Sequence, residues 1–454
     1  MPFAGPSYAL TNRKADAQRS INLYPVMLES GSSKSPAILK SIPGLKAFSA
    51  GTSPFRALKN VNGRLMGVAG SSLIDISNSG VRTTRGTLSS STGKVEFEFN
   101  LNQAVLVDGS FGYTMNLSSN TFSQISSPAF YGSNTLGVLD GYAIFVRPNS
   151  GQFYISAIDD ASTLDALDFA TAESAPDDTI AVLVDHREVY LFGRDTTEVW
   201  TNTGATDFPF QRNNGAFIEI GTTSPYSPRK IANMLMWVGT NDHGSACVWG
   251  MQGYQPMRLS TLAIEEKLAG ADLANVQAFS YTQQGSAFYV LQVPGIDTSL
   301  VYDVTNKAWH ERAELVAGFF QPWRATCHAF CYGKHYVGGS DGTLYELDPA
   351  TYMNGADPLC RERTSPHDAL PTFERQTFNK FEVDVNAGTG GRMLMRYSND
   401  GGITYGDWRS VSLGNVGEYT SRARYWRCGF GRDRVWQVRC TDNVPFDIVS
   451  ASVA

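Results

Sequence analysis

At 454 residues the chain is long enough for two or three domains with substantial cores. Its 43 glycines, 12% aromatics and only 18% charged residues fit a chain of strands and turns and exclude a long disordered tail. The net charge of −6 is unevenly spread: residues 51–360 hold 18 Lys and Arg against 30 Asp and Glu, while residues 1–50 and 361–454 are slightly basic.

The N-terminus, MPFAGPSYALTNRKAD, lacks the apolar core of a signal peptide. No run approaches the ~20 apolar residues of a membrane span, so no membrane-spanning segment is expected and the chain is read as made in a cytoplasm-like compartment. Residues 1–50, with Pro25, Pro36 and Pro43, read as an extended arm packed on another part of the molecule. Leu23, Tyr24, Ile42 and Leu45 have few local apolar partners there, which makes them candidates for contact with a neighbouring subunit.

From Ala57 onward one pattern recurs: an apolar strand, a tight turn, a second apolar strand, then a third ending in a polar corner. ALKNVNGRLMGVAGSSLIDIS is followed by FEFNLNQAVLVDGSFGYTMNL, LGVLDGYAIFVRPNSGQFYISAI and IAVLVDHREVYLFGRDTTEVWTN. IANMLMWVGTNDHGSACVWGMQ, a copy from Ala278 and HAFCYGKHYVGGSDGTLYELD complete the series. Short antiparallel strands repeating every ~40–50 residues predict the blades of a β-propeller over residues 51–360, because a lone blade cannot cover its own faces. Seven units can be counted, and six blades stay open if one unit belongs to a flanking domain. Helix periodicity is confined to TLAIEEKLAGADLA, 261–274, and ASTLDALDF, 161–169. Residues 361–380, RERTSPHDALPTFERQTFNK, lack periodicity and read as a linker. FEVDVNAG, MLMRYSNDGGITYGDWRSVSL, YWRCGFGRDRVWQVRC and FDIVSASV then alternate like the strands of a β-sandwich platform, residues 361–454. The fold class is all-β.

SNDGGITY, from Ser398, matches the Asp box of propeller glycosidases. Its residue types build a turn: Ser398 and Asp400 offer acceptors, Gly402 can enter φ > 0, and Thr404 and Tyr405 lead into the next strand. A sialidase-type site also needs three arginines, a Tyr/Glu nucleophile pair and an acidic Asp. A single box outside the propeller does not supply these. GGSDG, 338–342, fits G-x-S-x-G but lies between two strands, so Ser340 is a turn residue and not a nucleophile on a strand-to-helix elbow. The six cysteines are scattered and read as buried thiols. Cys327 and Cys331 face one side of a strand and His328 the other, which is no metal set. No catalytic residue, metal or cofactor is expected. In YTSRARYWRCGFGRDRVWQVRC, 419–440, arginines alternate with aromatics. Arg422, Arg424, Arg432 and Arg434 are therefore read as the outward face of a strand, available for protein contacts.

INLYPV with LKSIPGLKAF, HREVYLFGRDTTEVWTNTGAT, LSTLAIEEKL through LVYDVTNKAWHE, and the two sandwich segments occur in one collinear order. In that order the chain resembles the tail hub, or nozzle, proteins of short-tailed bacteriophages, which stabilise packaged DNA. The resemblance implies a non-enzymatic virion protein of the tail, assembled in the host cytoplasm as a homo-hexamer below the portal and its adaptor ring. It implies a channel for non-specific passage of double-stranded DNA during ejection, a tail needle or plug beyond it, and attached receptor-binding fibres or tailspikes. An acidic propeller ring would keep the duplex off the channel wall. The alternative is a propeller glycosidase or glycan-binding protein acting on host surface polysaccharide.

Overall fold

The computed structural model describes residues 3–172, 177–241, 243–370, 372 and 374–454. Seven antiparallel blades of four strands are built from the chain, five as separate sheets and two as parts of larger ones, the larger of the two counts that the repeats allow. Blade one spans Phe55 to Thr87, blade two Glu96 to Gln124, blade three Leu136 to Thr171 and blade four Thr179 to Ile218. Blade five spans Arg229 to Arg258 and blade six Gln277 to Val316, and blade seven takes three strands from Ala325 to Asp348. The first strand of each blade is innermost. The reason for the meander is local. In blades one, three, four, six and seven the first two strands are joined by two residues that both adopt positive φ, such as Asn62-Gly63 and Asp140-Gly141. That turn has the twist of a tight hairpin, and Gly at its second position adopts it without strain. In blade four the pair is His186-Arg187, at φ 47° and 65°, with no glycine to ease it.

Blade seven is completed from the far end of the chain. Strand Gly44–Ser49 pairs antiparallel with Leu344–Asp348 as the fourth strand. Gly44 is needed for the approach, since a Cβ there would collide with the Thr351 and Met353 carbonyl oxygens. Blade seven then joins blade one through the Thr326 hydroxyl, which donates to the Phe55 carbonyl at 2.8 Å, and through a shared apolar core containing Phe55, Leu65, Tyr336 and Leu344. The segment read as the end of an arm is thus a propeller strand.

Blade six does not end at its outer strand. Ile21 pairs in parallel with Glu311, and Arg19–Ile21 pairs with Arg361–Thr364. The ladder continues through Asp433–Cys440 and Arg392–Ser398 to Arg409–Ser412, so that one sheet of eleven strands runs from propeller into platform. A second sheet faces it, in the order Leu23–Met27, Ala37–Ser41, Ile448–Val453, Lys380–Val385, Ala423–Trp426. Between them Phe381 stacks on Trp436 with ring centroids 4.3 Å apart, surrounded by Leu23, Leu39, Met395, Val438 and Ile448.

Four expectations are corrected. Leu23, Tyr24, Ile42 and Leu45 are at most 1% exposed, because Leu23 fills the platform core and the other three fill the core between blades six and seven. They are spent within the chain and cannot reach a neighbour. Residues 361–364, read as the start of a linker, form a wholly buried strand. The segment ASTLDALDF is no helix. It lies in the long outer strand Asp160–Thr171 of blade three, where hydrogen bonding to Gln152–Ala157 decides its conformation and Leu167 is left exposed. The helix of 261–274 is shorter than its pattern, Leu262–Leu268 followed by a turn of 3₁₀ helix at Leu273–Asn275.

Candidate functional surfaces

The first strands of all seven blades surround a central cavity of about 340 Å³. Arg229 of blade five reaches across it to Glu96 of blade two at 2.5 Å, and ion pairs join neighbouring blades around it, Lys59 to Glu98 at 2.6 Å and Lys230 to Asp185. The Lys94 ammonium, its pKa lowered by burial, donates to the Thr326 carbonyl at 3.2 Å. A space equivalent to a cube about 7 Å on a side admits a small molecule, not a duplex whose major groove alone is ~12 Å wide.

The Asp-box segment is a closed turn. Asp400 accepts from the Ser398 hydroxyl at 2.5 Å, the Thr404 hydroxyl at 2.5 Å, and the backbone N–H groups of Ile403 and Thr404 at 3.1 and 2.9 Å. The Gly402 N–H donates to the Ser398 hydroxyl oxygen, with Gly401 and Gly402 at φ 77° and 86°. Burial acts to raise the Asp400 pKa, but these hydrogen bonds outweigh it and hold the carboxyl well below the usual range. Such a group is no general acid near neutrality. Thr404 and Tyr405 do not start a strand as read from sequence, since the next one begins at Arg409.

The turn borders a larger cleft, about 720 Å³, between the platform and the hairpin Phe319–Pro322 that extends from blade six. Guanidinium groups and aromatic rings alternate along it. Arg19 lies 6.0 Å from Phe320, which is 5.6 Å from Arg439, which is 4.6 Å from Trp408. Arg396 continues the series at 4.3 Å from Trp408 and 4.7 Å from Tyr405. Beneath them Arg439 pairs with Glu362 at 2.6 Å, and Arg19 and Lys267 converge on the fully buried Glu311 at 2.5 and 2.8 Å. Burial would raise the Glu311 pKa, yet Arg19 and Lys267 hold it well below the usual range.

Sequence reasoning missed this cleft, because its four arginines, Tyr405, Glu362 and Asp297 are far apart in the chain. The residue types match a sialidase-type list, but their state does not. Burial and then Glu362 push Tyr405 up to about 12, opposite to what a nucleophile requires, and the Glu362 carboxylate already accepts from Arg439 and Gln437.

The four sandwich arginines divide. Arg422 and Arg424 are about half exposed and share Glu382, at 3.0 and 3.4 Å, and Arg432 is also exposed. Arg434 is fully buried, which corrects its reading as a contact residue. It donates to Asn399 and to the Cys428 and Phe430 carbonyls, under the rings of Phe378 and Tyr397. All six cysteines are buried free thiols, and no group of metal-ligating side chains occurs among the described residues. No helix among those residues is long and apolar enough to cross a membrane.

Residues 11–352 match the family model described as "Bacteriophage P22 Gp10, beta-propeller", and residues 370–454 match "Bacteriophage P22 Gp10, beta-sandwich". No curated protein matches the chain. Among solved structures, the computationally designed Ika8 protein is 12% identical with a TM-score of 0.40, covering 67% of this chain and 99% of its own. The N-terminal domain of Nup159 is 10% identical with a TM-score of 0.42, covering 68% and 95%. The extracellular domain of BT4673 from B. thetaiotaomicron is 8% identical with a TM-score of 0.45, covering 81% and 47%.

Proposed function

The chain belongs to the bacteriophage P22 Gp10 family, phage structural tail proteins of propeller-plus-sandwich build, and from that premise we propose that it is the tail hub. In this reading six copies form a ring below portal and adaptor, extend the DNA channel, retain packaged DNA and guide its ejection. Needle or plug and receptor-binding fibres or tailspikes attach to the ring, which assembles on the particle in the host cytoplasm.

The match of both family models in collinear order over nearly the whole chain carries the reading. The small, ion-paired cavity of the propeller adds a constraint: DNA passes between subunits and not through a blade ring. The acidic stretch of residues 51–360 suits a wall that duplex DNA slides past, because neutralised phosphates would add affinity and slow transit. Exposed Arg422, Arg424 and Arg432 suit contacts with an acidic neighbour. The glycosidase alternative is weakened by the state of Tyr405, Glu362 and Asp400.

Imaging of intact particles tests the reading. Six copies around a passage wide enough for a duplex are expected. Absence from particles, or three copies with each propeller mouth turned outward, would refute it.

A further inference from the structure

Blade three carries an unusual edge. Between Pro148 and Asp185 the sequence contains no Lys or Arg, and Asp159, Asp160, Asp165 and Asp168 lie on its outermost strand or the turn before it. None of these four carboxylates forms an ion pair among the described residues. Beside them stand exposed apolar side chains, Leu167 at 80% and Phe169 at 42%. An outer strand also offers unpaired backbone groups, and a long one with apolar side chains is ordinarily shielded by charge, by a bulge or by a partner. This strand bulges between Asp160 and Leu164 and again between Leu164 and Phe169, the residues that face Ala157, Ser156 and Tyr154 of its neighbour, yet its apolar residues remain in water.

The junction cleft is the opposite in charge and alike in apolarity. Arg13 and Lys14 stand at its rim without an ion pair among the described residues, and Arg396 lies on its floor between Arg19 and Arg439, which are already paired with Glu311 and Glu362. Phe319 at 76% and Ile403 at 58% are exposed at its mouth. Neither surface can pair with a second copy of itself, because like charges would meet. Each fits the other.

We propose that the acidic outer strand of blade three of one copy docks into the basic junction cleft of the next, with Leu167 and Phe169 packing on Phe319 and Ile403. The proposal rests on the ring reading above and names its contact. Two different patches on one chain make a head-to-tail interface, the kind that closes into a ring. The blades concerned are three apart in a ring of seven, about 150° around it, so one copy can engage two neighbours at once.

The test uses assembled particles carrying the double variant Leu167→Cys, Phe319→Cys. All six native thiols are buried, so a short bis-maleimide should link only the introduced pair. A ladder of covalent multimers is expected with both cysteines and not with either alone. Independently, Asp165→Lys with Asp168→Lys should lower incorporation into particles at least tenfold, and adding Arg13→Glu with Lys14→Glu should restore it. A ring visible by imaging but with no ladder and normal incorporation of the reversed-charge variant overturns this contact while leaving the hub reading intact. If particles contain no ring of this protein, both fall. Binding of an acidic oligosaccharide in the cleft of assembled rings also overturns it, since the cleft would then be open.

Discussion

Arg363 should control whether the N-terminal segment stays on the platform. Its guanidinium is fully buried and donates to the carbonyls of Phe3 at 2.8 Å, Pro6 at 2.9 Å and Arg19 at 3.4 Å, the Ser20 hydroxyl at 3.0 Å and the Gln18 side chain at 2.8 Å. No carboxylate among the described residues pairs with it. The charge is held by neutral acceptors, all of them on residues 3–20. In Arg363→Met, Pro6 and Gln18 can turn to water, whereas the acceptors of Phe3, Arg19 and Ser20 lose a donor in a dry site. At roughly 1 kcal/mol for each orphaned acceptor the cost is about 3 kcal/mol. It falls on local opening of residues 3–20, because the propeller does not share these bonds. Native-state hydrogen exchange reads this directly. The amides of Ser7 and Tyr8, which donate to Trp309 and Gln18 carbonyls, should exchange roughly 150-fold faster. The Val105 amide, in blade two, should not change. Acceleration below threefold at Ser7 and Tyr8, or equal acceleration at Val105, would refute the clamp.

Replacing Asp400 by Ala should lower stability by about 1 kcal/mol in urea unfolding, and neither form should release sugar from host polysaccharide. Release abolished by a single carboxylate mutation in a folded variant would return the enzyme reading. Glu382 is lowered to about 2 by hydrogen bonding from Lys380, opposed by burial and helped by Arg422. Its stabilisation is therefore complete above an unfolded value of 4.5 and disappears as pH falls toward 2, so Glu382→Gln should flatten the acid limb of a melting-temperature profile in that window. Because His186 and Arg187 occupy positive φ without glycine, His186→Asn with Arg187→Gly should raise stability by about 1 kcal/mol, measured by the same unfolding assay.

The blades were legible because each is local: two apolar alternations around a turn such as Asn62-Gly63 or Asp140-Gly141 lie within a few dozen residues. The Asp-box turn was legible for the same reason. Strand Arg361–Thr364 was not. Its charges look like solvated linker, and only the fold reveals that Arg363 meets residues 3–20, Glu362 meets Arg439, and Arg361 meets the Val444 carbonyl. Arg434 misled similarly, since alternation with aromatics cannot say which side of a strand is water. The cleft was invisible for want of any local signal. Its members come from residues 11–19, 297, 318–320, 362–405 and 437–439.

Strand Gly44–Ser49 has a consequence in time. It is made among the first fifty residues, yet its partner, Leu344–Asp348, emerges some 300 residues later. At about 5–20 residues per second a ribosome needs roughly 15–60 s to bridge that gap. Blades one to six can form as they appear, but throughout that interval the early strand has no mate and the growing stack has an open end. Closure then brings together segments distant in sequence, a slow step with strand edges exposed. Expression at low temperature or with abundant chaperone should therefore favour soluble chain, by protecting the wait between the first strand and its last partner.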